Sequence, residues 1–368
     1  MNFIKVTIYI YFAIMILFIL FSMYALWKEK LILKKIERKK RNYKKEISRE
    51  IKKLSLEKHI SKKHLNSLQK ELMDTENLLI FEEVLESLKN KDINIQNYCI
   101  EISHLFQKLV EIYRKKDSIQ KAYFSHVLSS FPQLLQGEEK SIEYAMMHFV
   151  FDSSVYCREN AMLFFYHKGS AEQVVNSLKK ISNRKLYYNA KLLADDLLQF
   201  TGNTKELVSL LLEAFNEFSI QFQVAIINYI RFIKEDRKEE LYQKLISRKY
   251  NKEVDLAIIR YFARYSYEPV LDELIKIMQN KNSQDEYRIV AAMALAIYDK
   301  KEIRKLLISN LSDSNWYVRK NSAISLTRMN LTKKELEEAL KTDDPYAKEM
   351  LEYAWQEKIW REDKKGVK

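Results

Sequence analysis

The chain has 368 residues, of which 47% are hydrophobic and 31% are charged, and its formal net charge is +13. It contains only four glycines and three prolines, where an average protein carries roughly 12% of the two together. This composition excludes glycine-rich phosphate loops and disfavours tight-turned sheets, so it predicts an all-α protein. Two cysteines without a C-x-x-C pair exclude a disulfide framework and a zinc site of that type.

The first predicted element is a transmembrane helix over residues 6–27. These 22 residues carry no charge, and at about 1.5 Å per residue they reach roughly 33 Å, enough for a hydrocarbon core of about 30 Å. Aromatic residues that favour the membrane interface stand near both ends: Tyr9, Tyr11, Tyr24 and Trp27. The alternative is a cleaved signal peptide, which would have a shorter apolar run and a small-residue cleavage site. We therefore expect an uncleaved anchor.

Positive charge follows this run directly. Residues 28–63 hold sixteen Lys and Arg against five Glu, so residues 64–368 are nearly neutral. Because positive charge stays on the cytoplasmic side, we expect a short extracytoplasmic N-terminus (1–5), a cytoplasmic C-terminal part and a location in the cell (inner) membrane. The cations that carry this prediction are Lys28, Lys30, Lys34, Lys35, Arg38, Lys39, Lys40, Arg41, Lys44 and Lys45.

Residues 28–74 are predicted to form a basic helical stalk or short coiled coil, because the first 131 residues contain no Gly or Pro. Ile47, Ile51 and Leu54 are spaced for a coiled-coil seam or for packing on a neighbouring helix. The basic run is interpreted as a solvated topology signal, as a surface that binds anionic lipid, or as a nucleic-acid-binding segment. Tyr43 is the only aromatic residue there, which disfavours base stacking and hence the last interpretation.

Beyond residue 74 the pattern predicts helical hairpins over 75–139, a repeat array over 140–360 and a polar tail over 361–368. Two segments align without gaps: DSSVYCRENAMLFF, which starts at Asp152, and DSNWYVRKNSAISL, which starts at Asp313. Helix-rich units that repeat every 30–45 residues or so indicate a solenoid.

An arginine recurs in these copies. Arg158 of the first corresponds to Arg319 of the second, Arg288 fills the position in QDEYRIVAAMALA, and Lys348 fills it in a weaker fourth copy. The last two steps are 31 and 29 residues long. We expect this arginine to bond to a carbonyl group or to an Asp of a neighbouring turn.

The pattern resembles the HEAT and HEAT-like repeats of bacterial proteins, whose second helix commonly opens with D-x-x-x-x-V-R-x-x-A-A-x-A-L. The best match is made by Asp313, Val318, Arg319, Ala323 and Leu326. The resemblance is specific in the last third of the chain and implies an α-solenoid of helix pairs with an extended protein-binding face. The nearest alternative, a tetratricopeptide array, lacks its Trp, Gly and Pro signature here.

No residue pattern predicts catalysis, a cofactor, a metal site or a small-molecule substrate. The histidines lack H-E-x-x-H spacing, and His59 and His64, five residues apart, are expected to be solvated. Cys157 stands at the core valine position of its repeat, so we expect a buried thiol. Nucleophile-elbow, Walker and kinase motifs are missing. We therefore expect a protein that is not an enzyme.

Aromatic residues are dense in two segments, which predicts either core filling or a partner-binding patch, because Tyr and Trp dominate binding hot spots. The candidates are Tyr261, Tyr265, Tyr267, Trp355 and Trp360. We expect a membrane-anchored scaffold that binds a membrane-associated protein, and the architecture suggests a cell-envelope or exopolysaccharide synthesis complex with a glycosyltransferase. The alternatives are a nucleic-acid-binding or DNA-repair protein, disfavoured by the neutral charge of residues 64–368, and a membrane-tethered sensor or defence effector.

Overall fold

The computed structural model describes the backbone of residues 2–56, 59–89, 95–136, 139–186, 188–281, 284–329, 331, 335 and 344–366. These residues form helices and short connections, and none of them belongs to a strand. The prediction of an all-α fold is confirmed. The chain divides into two compact units, Met1–Ser177 (unit 1) and Leu178–Lys368 (unit 2). The predicted polar tail, 361–368, extends past the last described residue.

Unit 1 begins with the longest helix of the protein. Its helices are α1 (Asn2–Leu54), α2 (Lys62–Glu71), α3 (Thr75–Lys89), α4 (Ile95–Glu101), α5 (Ser103–Tyr113), α6 (Ser118–Ser130), α7 (Glu139–Phe149) and α8 (Val155–Lys168), and α9 (Ala171–Asn183) crosses into unit 2. Helices α6 and α8 pack along each other, and α7 packs against both. The last part of unit 1 is therefore already built from stacked helices.

The apolar side chains of α1 from Tyr9 to Trp27 are exposed. Its apolar window has a mean hydropathy of 2.3, and none of that window is buried. Among the described helices, α1 alone has the length and composition to cross a membrane, features that a membrane anchor and a signal sequence share. The helix continues without a break to Leu54, because the sequence supplies no Gly or Pro to stop it.

The C-terminal end of α1 packs into unit 1. Tyr43, Ile47 and Ile51 are buried, and α1 contacts α3 and α4. The Tyr43 ring meets the Phe81 ring of α3 edge to face, with 6.4 Å between their centroids. Of the two roles predicted for this seam, the structure shows packing on neighbouring helices. The second half of the segment 28–74 is thus part of a folded unit and not an isolated stalk.

His64 is also buried, so the prediction of a solvated side chain is wrong. Its Nε2 atom lies 2.9 Å from the hydroxyl oxygen of Tyr98 in α4. Burial lowers the pKa of His64 because the charged imidazolium loses its hydration. The two residues before His64 are lysines, and the Tyr98 hydroxyl that it contacts is 34 residues away, so the local sequence gives little sign of this contact.

Unit 2 consists of helix pairs. Its helices are α10 (Ala190–Leu197), α11 (Thr204–Glu213), α12 (Ile220–Ile233), α13 (Lys238–Ile246), α14 (Lys252–Phe262), α15 (Leu271–Gln279), α16 (Asp285–Ala294), α17 (Lys301–Ser309), α18 (Trp316–Arg328) and α19 (Pro345–Gly366). Six of these helices form a row in which each packs against the next: α10, α12, α14, α16, α18 and α19. This is the predicted α-solenoid.

Small and branched residues allow the close stacking of this row. Ala225, Ala257, Ala291 and Ala323 are fully buried, and a methyl side chain lets adjacent helices approach closely. Fully buried Leu, Ile and Phe residues fill the space between the layers, and each stabilises the fold by about 1.5–3 kcal/mol relative to an exposed position. Each pair therefore depends mainly on its neighbours for its core.

Candidate functional site

In unit 1 the recurrent arginine bonds to the segment before its own helix, and the recurrent aspartate contacts α6. Arg158 of α8 donates from Nη1 to the carbonyl oxygens of Asp152 and Ser153, at 2.9 and 3.0 Å. The Asp152 carboxylate accepts from the Ser154 N–H at 3.0 Å and from Nζ of Lys121 in α6 at 3.2 Å. Burial alone would raise the pKa of Asp152, but the surrounding donors outweigh it and lower the pKa. The carboxylate thus joins α6 to the start of α8.

Arg288 and Asp313 form the equivalent contact in unit 2. The Arg288 guanidinium pairs with Asp285 of its own helix and with Asp313, which precedes α18. Like Asp152, Asp313 also accepts from the N–H two residues later, that of Asn315 at 2.8 Å. Arg288 and Asp313 are both buried. In both contacts a carboxylate that precedes one helix receives a cation from an earlier helix: Asp152 from Lys121, and Asp313 from Arg288.

Tyr261 lies in the core and not on a partner-binding surface. Its side chain is 0% exposed, and its hydroxyl donates to the Glu235 carbonyl and accepts from the Arg237 N–H, both at 3.1 Å. Burial raises the pKa of Tyr261 to about 12. The Tyr265 hydroxyl similarly donates to the Arg231 carbonyl at 2.7 Å. Both tyrosines therefore tie α14 and its C-terminal end to the preceding repeat.

Tyr267 is half-buried, and its hydroxyl is hydrogen-bonded to Glu239 of α13. This bond raises the pKa of Tyr267 to about 12. Its own backbone is held by Tyr298, whose hydroxyl accepts from the Tyr267 N–H at 2.9 Å and donates to the Tyr267 carbonyl at 3.0 Å. Tyr298 therefore repeats the role of Tyr261 one repeat later. The aromatic density of this segment is explained by contacts within the array.

A groove of about 410 Å³ lies between α18 and α19. Its aromatic, apolar and cationic lining is Trp316, Arg319, Tyr346, Met350 and Tyr353, and Glu349 and Glu352 add negative charge. Tyr346 is 65% exposed and Tyr353 is 58% exposed. Tyr, Trp and Arg are the residues that most often dominate binding energy at protein interfaces. We call this surface the C-terminal groove.

The two predicted tryptophans lie on the same helix but outside the lining of this groove. Trp355 is half-buried, and Nζ of Lys358 lies 5.3 Å from its ring centroid. Lys358 also donates to the Thr327 carbonyl at 2.7 Å and so fastens α19 to α18. Trp360 is exposed. A partner-binding role for Trp355 and Trp360 stays a prediction, and neither residue lines the groove.

Tyr346 of the groove stands at a repeat position that carries an exposed tyrosine in two other repeats. Tyr156, Tyr317 and Tyr346 each stand two residues after the residue that caps their helix, and all three are exposed, by 73%, 59% and 65%. The alignment of Asp152 with Asp313 already paired the first two. Of these three tyrosines only Tyr346 lines the groove, so the repeat position alone does not identify the groove from the sequence.

The basic segment of α1 keeps most of its charge at the surface. Lys39 donates to Asn77, and Lys40 pairs with Glu83 of α3. The other eight predicted cations are exposed: Lys28, Lys30, Lys34, Lys35, Arg38, Arg41, Lys44 and Lys45. At 1.5 Å per residue, about 18 Å of helix separates Trp27 from Lys39. The exposed cations are thus concentrated between the apolar run and the folded part of unit 1.

The described residues contain no group of three or more His, Cys, Asp or Glu side chains that could hold a metal ion. Cys157 is fully buried, as predicted. Burial raises the pKa of its thiol to about 12, so the thiolate that a nucleophile or metal ligand requires is disfavoured at neutral pH.

A family model for HEAT repeats matches residues 271–354, which span α15 to the first part of α19. These residues form HEAT repeats. The resemblance predicted from Asp313, Val318 and Arg319 is confirmed. No curated protein matches the chain. HEAT repeats generally form scaffolds that mediate protein–protein interaction, and the C-terminal groove lies within this HEAT-repeat region.

Proposed function

We propose that the chain is a membrane-anchored scaffold whose HEAT-repeat region binds a partner protein on the cytoplasmic side of the cell membrane. The observation that carries the proposal is the C-terminal groove, because exposed Tyr and Trp side chains converge there with the half-buried Arg319 on a fold used for protein binding. Its aromatic walls provide apolar area, and its charges provide orientation.

The anchor part of the proposal rests on α1. Its apolar window is unburied, long enough to span a bilayer, and followed at once by exposed cations. These charges favour a cytoplasmic C-terminal part. They are also positioned to contact anionic headgroups, where each Lys or Arg close to the surface contributes about 1 kcal/mol.

The partner that we propose for the C-terminal groove is itself membrane-associated. An anchored scaffold and an anchored partner lie in the same membrane, which raises the effective concentration of each near the other without any new contact. A cell-envelope or exopolysaccharide synthesis complex containing a membrane glycosyltransferase belongs to this class of partner. Nucleic-acid binding has less support, since residues 64–368 carry almost no net positive charge.

Site-specific photo-crosslinking in cells tests the proposal. A photoreactive phenylalanine analogue replaces Tyr346 in the groove, and the matched control places it at Tyr156, the equivalent exposed position of α8. We expect Tyr346 to yield a discrete crosslinked protein, identified by mass spectrometry, that Tyr156 does not yield. Identical product patterns from the two positions would contradict a partner site in the groove.

A further inference from the structure

Three arginines gather where the C-terminal ends of α12 and α14 pack together. Arg231 lies in the last turn of α12, and Arg260 lies in the last turn of α14. The Arg264 N–H donates to the Tyr261 carbonyl at 2.9 Å, so the turn continues past α14 and brings Arg264 within one turn of Arg260. Arg231 and Arg260 are half-buried and Arg264 is exposed, so solvent reaches all three side chains. We call this group the arginine cluster.

The side chain of Tyr265 connects the two helix ends of the cluster. Its hydroxyl donates to the Arg231 carbonyl at 2.7 Å, and the guanidinium carbon of Arg264 lies 5.8 Å from the centroid of its ring. The guanidinium carbon of Arg231 lies 5.0 Å from the centroid of the Phe232 ring. These aromatic contacts attract the guanidiniums without neutralising their charge.

The cluster differs from other arginines of unit 2 in its lack of acidic partners. Arg248, Arg288 and Arg304 each pair with at least one carboxylate. Within the part of the chain that the structure describes, no carboxylate forms an ion pair with a guanidinium of the cluster. Helix dipoles favour cations at helix C-terminal ends, so the cluster is compatible with a stable fold.

Like charges act on one another in the cluster. Burial lowers the pKa of Arg231, and the positive charges of Arg260 and Arg264 lower it further. Burial also lowers the pKa of Arg260, and Glu253 opposes this shift. Glu253 stands seven residues before Arg260, about 10 Å along the helix, so its carboxylate leaves the guanidinium donors to another acceptor. Lys234, the C-cap of α12, adds a further positive charge three residues after Arg231.

The acids of the segment that follows α12 act on other groups. The charge of Glu235 raises the pKa of Tyr229, although burial is the larger cause of that shift. Asp236 pairs with the lysine two residues later at 3.1 Å, and Glu239 accepts from the Tyr267 hydroxyl. The positive charge of the cluster therefore remains available to an anion from solution.

The number of guanidiniums indicates which anion the cluster would bind. A planar guanidinium donates two parallel hydrogen bonds to carboxylate or phosphoryl oxygens. A carboxylate has two oxygens and one charge, whereas a phosphoryl group has three terminal oxygens and a charge of about −1.5 to −2 at pH 7. Three guanidiniums therefore match a phosphoryl group better in both donors and charge, and arginine clusters are a recurrent means of binding phosphorylated segments.

We propose that the arginine cluster of α12 and α14 binds a phosphoryl group carried by a side chain of the partner protein. The inference rests on the proposed scaffold function and adds the chemistry of a second contact with the partner. The residues of the cluster do not line the C-terminal groove, so the two sites can be tested independently.

The test uses the full chain in nanodiscs of zwitterionic lipid, with 3-fluorotyrosine at position 265 as a fluorine NMR reporter. The probes are a capped Gly-phosphoserine-Gly peptide and its serine and glutamate counterparts at constant ionic strength. We expect a saturable shift of the reporter signal with the phosphopeptide and binding at least about tenfold weaker with serine, since one charge-assisted hydrogen bond contributes that much or more. Equal binding of phosphoserine and serine, or of phosphoserine and glutamate, would overturn the proposal.

Two further probes distinguish the source of the phosphoryl group. Inorganic phosphate that binds at least as tightly as the phosphopeptide would assign the cluster to the free ion and contradict a partner side chain. A short DNA duplex that shifts the reporter at a lower concentration than the phosphopeptide would assign the cluster to nucleic acid and contradict it as well. Weaker binding of both probes supports a phosphorylated partner protein.

Substitutions then locate the site. Arg264→Gln and Arg260→Gln should each weaken phosphopeptide binding by at least about tenfold. The matched control is Arg328→Gln, which removes an exposed arginine from the last turn of α18 and should leave binding unchanged. Because Arg264 is exposed, Arg264→Gln decides the question even if Arg260→Gln is unfolded by circular dichroism. Undiminished binding by Arg264→Gln overturns the assignment.

The result is separable from that of the proposed groove. Crosslinking at Tyr346 that persists while the phosphopeptide fails to bind would refute the arginine cluster alone. Loss of crosslinking at Tyr346 with retained phosphopeptide binding would refute the C-terminal groove alone.

Discussion

The Arg288 guanidinium of α16 is paired with the Asp313 carboxylate that precedes α18, and both side chains are at least nine-tenths buried. The Lys300–Glu268 pair also joins two repeats but is largely exposed. Burial determines how much each pair contributes to stability. A buried charge left alone has no water to replace its partner, whereas an exposed charge is readily rehydrated.

The substitution Arg288→Met should therefore destabilise the HEAT-repeat region by about 3–5 kcal/mol, because it leaves Asp313 buried without a cation. Lys300→Met, the control, should cost about 0–1 kcal/mol. Hydrogen–deuterium exchange of peptides from α16 and α18 measures both changes. Equal protection in the two variants would show that the buried pair has no special role.

Acidification should weaken unit 1 through His64 and strengthen it through His126. Burial lowers the pKa of His64 in the folded state, so the unfolded chain takes up the proton first and stability is lost as the pH falls below about 6.5. The hydrogen bond to Glu82, at 3.1 Å, raises the pKa of His126 in the folded state. The contribution of His126 to stability is therefore complete below about pH 6.5, and it is lost as the pH rises through the raised pKa.

Urea unfolding of His64→Gln and His126→Gln between pH 5 and pH 8 separates these contributions. His64→Gln should reduce the loss of stability on acidification, and His126→Gln should enlarge it. The second effect should be the smaller one, because the His126 side chain is nearly half exposed. Parallel pH profiles for the two variants would contradict the assigned environments.

Removal of the Tyr261 hydroxyl should affect stability and not partner binding. Tyr261→Phe leaves the Glu235 carbonyl and the Arg237 N–H without their shared partner, which should cost about 1–3 kcal/mol. Tyr317→Phe is the control at an exposed ring. Hydrogen exchange of α12–α14 and the Tyr346 crosslinking yield are the two readouts. A loss of crosslinking from Tyr261→Phe with unchanged exchange would restore Tyr261 as a binding residue.

Substitutions in the C-terminal groove should reduce partner binding and leave stability almost unchanged. Trp316→Ala and Tyr353→Ala should each reduce capture of the partner by about tenfold or more, the size expected of a hot-spot residue. Because both side chains are exposed, stability should change by only about 0.5 kcal/mol. Tyr156→Ala is the matched control, and quantitative co-purification is the measurement. Undiminished capture by both groove variants would exclude this surface.

The fold could be predicted largely because its signals are local. The lack of Gly and Pro predicts the unbroken α1, and the alignment of Arg158 with Arg319 predicts the repeat. The interaction surfaces depend on tertiary contacts that a single sequence does not contain. Tyr261 and Tyr353 have similar apolar neighbours, yet one is enclosed by the preceding repeat and the other faces solvent.

The same limit applies to single residues within a correctly predicted element. Asp255 is buried, and the Tyr287 hydroxyl that donates to its carboxylate is 32 residues away, so the neighbouring sequence does not predict this contact. Arg319, which the sequence equates with Arg288, lines the C-terminal groove, with its guanidinium carbon 5.9 Å from the centroid of the Tyr346 ring. Equivalent sequence positions thus serve packing in one repeat and a surface in another.

The most direct test of the membrane-anchored scaffold is the location and topology of the intact chain. Alkaline phosphatase, active only outside the cytoplasm, is fused to the C-terminus, and the fractionated membranes are washed with carbonate. We expect an inactive fusion of full length that stays in the washed membranes and is released by detergent. A soluble chain, a chain shortened at the N-terminus by signal cleavage, or an active phosphatase fusion would contradict the account.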